Sequence, residues 1–91
     1  MKQLNTIKEL INQGKVDEAI LALDQLILTD SAPKDEAYYL RGNAYRKLGN
    51  WHQALNNYQE AIELNPQSPA AQARKMMMDI MNFYNKDMFN Q

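Results

Sequence analysis

At 91 residues, 45% of them apolar, the chain is long enough to bury one core and too short for two independent ones. Ten basic and eleven acidic side chains leave a net charge of −1 and lie mixed along the sequence, so nothing points to nucleic acid or an anionic membrane as a partner. With no cysteine, disulfides, thiolate catalysis and cysteine-ligated zinc are all excluded.

The first apolar stretch, Leu4, Ile7, Leu10 and Ile11, recurs at helical spacing and ends at Asn12-Gln13-Gly14, where glycine can take the left-handed conformation that closes a helix. A second helix starts near Val16-Asp17-Glu18, with its acidic residues at the positive end of the helix dipole, and carries Ala19, Ile20, Leu23, Leu26 and Ile27. It stops in the polar segment Thr29-Asp30-Ser31-Ala32-Pro33. A third begins near Asp35-Glu36, shows Tyr38, Ala44, Tyr45 and Leu48, and ends at Gly49-Asn50. The fourth is expected from about Trp51 to Leu64, with Ala54, Leu55, Tyr58, Ala61 and Ile62 as its apolar stripe and Asn65-Pro66 closing it. Ser68 then supplies an N-cap and Pro69 a first helical residue, opening a fifth helix that runs toward about Asn85. No segment alternates with the period of a strand, so the fold class is all-α, with short connections between antiparallel neighbours. With no apolar run of signal-peptide length behind Met1–Thr6, and no stretch near the ~20 residues of a membrane span, a soluble cytoplasmic protein is expected.

Shifting the sequence on itself by 35 residues lays Gly14-Lys15-Val16-Asp17-Glu18-Ala19-Ile20 over Gly49-Asn50-Trp51-His52-Gln53-Ala54-Leu55, Leu23 over Tyr58 and Ile27 over Ile62. A helix–turn–helix unit is therefore repeated, as in stacked solenoids. Residues 35–68 carry Tyr38, Gly42, Tyr45, Ala54, Tyr58, Ala61 and Pro66 at the spacing of aromatic, small residue, tyrosine, alanine, aromatic, alanine and proline that resembles the tetratricopeptide repeat, with Arg41 departing from it at the leucine position. Residues 1–34 look like a diverged copy, with Ile7, Leu10, Ala19, Leu23 and Leu26 at the matching places, and residues 69–91 resemble the helix that closes such arrays, plus a tail. The resemblance implies an α-α superhelix of two antiparallel helix–turn–helix repeats closed by a fifth helix.

Catalytic chemistry is hard to assemble from these residues. There is one histidine, His52, and there are two serines, Ser31 and Ser68, both in helix-boundary segments where they read as caps. Glu60 and Glu63 read as a solvated helix face, and His52 lacks a second histidine at metal-ligand spacing. No enzyme, cofactor or metal is expected.

The resemblance further implies that the first helix of each hairpin lines a concave groove for a peptide or partner helix. On this chain that face would include Leu4, Lys8 and Ile11, then Glu36, Tyr39, Asn43 and Arg46, then Ala73, Arg74, Met77, Ile80 and Met81. Of these, Lys8, Tyr39, Asn43, Arg46, Arg74, Met77 and Met81 are the expected peptide-binding residues. Tyr39 is assigned to the groove because Tyr38 takes the packing position and a neighbouring ring stands about 100° round the helix.

The same register places the best apolar stripe of the fifth helix, Ala73, Met77, Ile80, Met81 and Tyr84, on the groove side, where something should cover it. Three covers are open: the helix rolls and buries the stripe internally, the tail Asn85–Gln91 folds back with Met88 and Phe89, or the stripe is an interface. Two functions follow. One is a non-catalytic adaptor binding another protein or peptide; the other is a self-associating protein whose Met-rich fifth helix makes a homodimer.

Overall fold

The computed structural model describes the backbone of residues 1–89 and the side chains of residues 1–83. Five helices follow one another: α1 (Lys2–Asn12), α2 (Val16–Leu28), α3 (Lys34–Lys47), α4 (Trp51–Leu64) and α5 (Ala70–Phe89). No strand occurs among the described residues. Nor is any helix among them long and apolar enough to cross a membrane.

The repeat seen in the sequence is a repeat of hydrogen bonds. Gly14 and Gly49 take φ values of +83° and +79°, closing α1 and α3 alike. After each, the next amide reaches back to an orphan carbonyl of the helix, Lys15 N–H to Leu10 O and Asn50 N–H to Tyr45 O, both at 2.9 Å. The end of α2 uses the same device without glycine: Asp30 sits at φ +53° and Ser31 N–H bonds Leu26 O at 3.0 Å. Ser68 caps α5 as expected, its hydroxyl accepting from Ala70 N–H at 3.1 Å. Ser31 does not cap a helix start; its hydroxyl pairs with that of Thr29 at 2.6 Å. The α5 helix runs through Phe89 instead of ending near Asn85, since no glycine or proline follows Tyr84 to stop it. The side chains of Met88 and Phe89, on which a folded-back tail would depend, lie outside the described ones, as do Asn90 and Gln91.

Two apolar clusters hold the helices together. The first gathers Leu4, Ile7 and Ile11 of α1, Val16, Ala19 and Leu23 of α2, and Ala37, Leu40 and Ala44 of α3. The second gathers Ala54, Tyr58 and Ala61 of α4 with Ala70, Ala73 and Met77 of α5, flanked by Tyr38, Tyr39 and Tyr45. Leu23, Tyr58 and Met77 are the largest fully buried side chains; each contributes about 1.5–3 kcal/mol by leaving water. Between the clusters, α3 and α4 touch where Gly42 meets the ring of Tyr58. A Cβ added at Gly42 would lie 2.5 Å from Tyr58 Cε1 and 2.6 Å from Cδ1, so the ring occupies the space that any other residue would need.

Arg41 owes its place to a contact the repeat pattern does not encode. Its guanidinium donates to Asp24 of α2 at 2.8 Å and lies 5.6 Å from the centre of the Tyr38 ring. Both ionic partners are partly exposed, so the pair, which links α2 of the first hairpin to α3 of the second, adds at most about 1 kcal/mol. At the other end of α3, Asn65 donates to Asp35 at 3.0 Å and ties the close of α4 to the start of α3.

The two hairpins differ on their outer face. Where α4 shows Asn56 and Glu63 to solvent, the equivalent positions of α2 are Leu21 and Leu28, both exposed.

Candidate functional site

Because α1 and α3 are equivalent helices of successive repeats, residues 35 apart in sequence lie at matching places on the two helices. Three pairs at that spacing, Lys8 and Asn43, Ile11 and Arg46, and Asn12 and Lys47, line with Leu40 an open cleft of about 330 Å³. Its floor is apolar, since Ile11 and Leu40 are core residues, and its walls carry Lys8, Arg46 and Lys47. Lys47 Nζ donates to Asn12 O at 3.5 Å, bridging the two helices at the rim.

Asn43 is oriented from behind. The Tyr58 hydroxyl donates to its Oδ1, leaving the amide hydrogens for the cleft. Burial pushes the Tyr58 phenol up from 10.0 to about 12, partly offset by the Arg46 guanidinium, so the phenol is a permanent donor at neutral pH. The sign of the linkage is definite: a folded-state pKa above the unfolded one adds stability that is present below pH 10 and is lost as pH rises toward 12. The melting temperature is therefore expected to fall more steeply across this interval than that of a Tyr58→Phe variant. Parallel melting curves of the two proteins over the interval refute the assignment.

Beside the cleft lies a smaller recess of about 120 Å³, lined by Leu4, Lys8, Asp35, Glu36, Tyr39, Leu40, Ser68 and Pro69. Tyr39 is half-buried there, its ring 6.1 Å from that of Tyr58 and tilted by 38°. It both packs and faces outward. Lys8 and Leu40 line both cavities, so the two adjoin; Lys8 shares the recess with the carboxylates Asp35 and Glu36, while Arg46 and Lys47 line the cleft alone.

Of the residues expected in the groove, Lys8, Tyr39, Asn43 and Arg46 come together here. Met77 does not: it is 1% exposed and packed against α4, so it is a core residue and not a groove contact. The physical reason is that α5 supplies the apolar cover for Tyr58, Ala54 and Ala61, and Ala70, Ala73 and Met77 are the side chains that provide it. The conflict over the fifth helix is thus resolved by internal burial at Ala73 and Met77, while Ile80 stays 46% exposed and Met81 half-buried. Arg74 is half-buried, and neither it nor Met81 lines either cavity.

Three cleft residues are absent from the sequence-based set, Leu40, Asn12 and Lys47. Asn12 and Lys47 could be found from the sequence, because they are the repeat equivalents of each other at the position one beyond Ile11 and Arg46. His52, Glu60 and Glu63 are exposed, and no group of three or more potential metal ligands occurs among the described residues.

A family model described as tetratricopeptide repeat matches residues 35–68. A Bacteroides fragilis protein of known solution NMR structure is 70% identical to this chain and superposes with a TM-score of 0.88, the match covering 100% of this chain and 92% of that one. No curated protein matches it.

Proposed function

The chain belongs to the tetratricopeptide repeat family, and from that premise we propose that it is a non-catalytic protein–protein interaction module that takes a peptide or partner helix in the groove between α1 and α3. One observation carries the reading: three repeat-equivalent pairs, Lys8 with Asn43, Ile11 with Arg46 and Asn12 with Lys47, converge on one open cleft with an apolar floor and polar walls. Such a surface fits a ligand that buries small apolar groups and anchors polar ones. Fold alone does not confer this role, since repeat arrays serve unrelated processes; the groove chemistry is what supports it. Arg74 and Met81, on α5, belong at most to its margin.

The test is selection of binding peptides from a display library, followed by mapping of the bound site by amide NMR. Shifts should concentrate on α1 and α3, and Tyr39→Leu, which keeps apolar bulk against Tyr58, should weaken binding about tenfold by removing an aromatic anchor. Selected peptides that map to α2 and α4 and ignore Tyr39 would refute the groove.

A second reading, self-association through α5, is favoured by the exposure of Met76, Ile80 and Phe83 at i, i+4 and i+7 on that helix. The mass of the same sample by sedimentation equilibrium separates the two: a monomer leaves the groove reading alone, whereas a dimer dissociated by Met76→Glu supports the second.

A further inference from the structure

We propose that the open cleft along the seam of α3 and α4 binds a carboxamide group, at a site that shares no residue with the α1–α3 groove. The cleft measures about 250 Å³ and is lined by Tyr38 and Arg41 of α3 and by Gln53, Asn56, Asn57 and Glu60 of α4. Two of these side chains bring to it buried polar atoms that have no hydrogen-bond partner among the described residues, Arg41 Nε and Asn57 Oδ1. Arg41 directly precedes Gly42 and Asn57 directly precedes Tyr58, so the close Gly42–Tyr58 contact of these antiparallel helices turns both residues to one side of the seam.

Both side chains are held in place by other contacts. Asn57 is 4% exposed, and its amide nitrogen donates to Gln53 O at 2.8 Å, which fixes the oxygen as the end without a partner. Arg41 Nη1 donates to Asp24 at 2.8 Å and its guanidinium carbon lies 5.6 Å from the centre of the Tyr38 ring, which leaves Nε–H as the donor to be satisfied. The hairpin fold does not demand this pair. In the first hairpin the equivalent places are held by Thr6, whose hydroxyl bonds Lys2 O at 3.1 Å, and by Ala22. Buried polar groups are nearly always paired, and unpaired ones cost stability. The two atoms therefore define what completes them, a group that donates to Asn57 Oδ1 and accepts from Arg41 Nε. A carboxamide does both with neighbouring atoms. A carboxylate has no hydrogen for Asn57, and it would meet Glu60 in a cleft whose guanidinium is already paired with Asp24. An ammonium has no lone pair for Arg41. A single water would satisfy both atoms but fill only ~30 Å³ of the cleft. The carboxamide can belong to an Asn or Gln side chain or to a peptide group, and the two differ in shape: a primary amide presents N–H and C=O on one edge, whereas a trans peptide points them in opposite directions.

The experiment is an NMR titration of the full chain with acetamide, N-methylacetamide and acetate, read on the Arg41 Nε–H and on the Asn57 side-chain amide. Saturable shifts of both signals are expected with an amide probe and none with acetate. Shifts from acetamide alone assign the site to Asn and Gln side chains; shifts from N-methylacetamide, alone or as well, assign it to peptide groups. Asn57→Ala puts in place the residue that the first hairpin has at Ala22, and Arg41→Lys keeps a cation for Asp24 while removing the Nε–H. Each should weaken binding of the amide probe about tenfold, with helical circular dichroism unchanged; should the alanine variant fail to fold, the lysine variant carries the test. Acetate shifting the same signals as strongly overturns the proposal, as does amide binding undiminished in the variants. The absence of saturable shifts with both amides overturns it too, and is the result expected if a bridging water alone completes the two atoms.

Discussion

Truncating Tyr58 to alanine is expected to remove about 3–5 kcal/mol of stability, the usual cost of deleting a fully buried aromatic side chain. The ring is 0% exposed, packs against Gly42 and Tyr39, and anchors the cluster into which α5 inserts Met77. Its removal opens a cavity where α3, α4 and α5 meet, and also strands the Asn43 carbonyl that its hydroxyl satisfies. A chain of this size has about 5–15 kcal/mol in total, so the variant should stand close to unfolding. Tyr58→Phe, which deletes only the hydroxyl, should cost about 1 kcal/mol. Urea denaturation of the two variants separates ring from hydroxyl, and a loss for Tyr58→Ala below about 1.5 kcal/mol would show that the hairpin repacks around the gap.

Gly42→Ala is expected to destabilise the chain by about 1–3 kcal/mol through overpacking, which reverses the sign that helix propensity alone would give. In an ordinary helix interior, glycine to alanine gains about 1 kcal/mol, and Gly42 lies inside α3 with no unusual backbone angle. The reversal comes from the 2.5 Å approach of Tyr58 Cε1 to where the new methyl would sit. Because that obstacle is one identified ring, the two sites should couple. Gly42→Ala made in a Tyr58→Leu background should lose most of its penalty, and additive losses in that double-mutant cycle would refute the contact as the cause.

What could be read in advance was whatever depends on neighbours in sequence. The observed bounds of α4 coincide with the expected Trp51–Leu64, and Gly14 and Gly49 mark helix ends because left-handed backbone at those points favours glycine. The family assignment likewise rests on short-range spacing within residues 35–68. Asp30 was less legible, since it takes a left-handed conformation with a side chain that seldom does so and carries no distinguishing mark in the sequence. Arg41 could be recognised as a departure from the pattern, but its partner Asp24 lies on another helix, seventeen residues earlier.

The site was half legible for the same reason. Lys8, Asn43 and Arg46 follow from stacking one repeat on the next, which any register of the array preserves. Met77 does not, because the apolar residues of α5 span so wide an arc that Ala73, Met77, Ile80 and Met81 fit several rotations of the helix. The rotation is chosen by the three-dimensional hollow around Tyr58, and a one-dimensional period has no access to that shape.

Among the described residues the helices pack in a nearly linear order, the substantial contacts joining neighbours or next-but-one helices along the chain. Only short spans of chain must close before contacts begin to stabilise one another, which places assembly on the microsecond-to-millisecond scale. The α3–α4 pair has the most extensive interface and neighbours on both sides, so it is expected to act as the seed onto which the flanking helices zip. Opening is expected to run in reverse: amide protons of α1 should exchange through local fraying, while those of α3 and α4 wait for the whole chain to come apart.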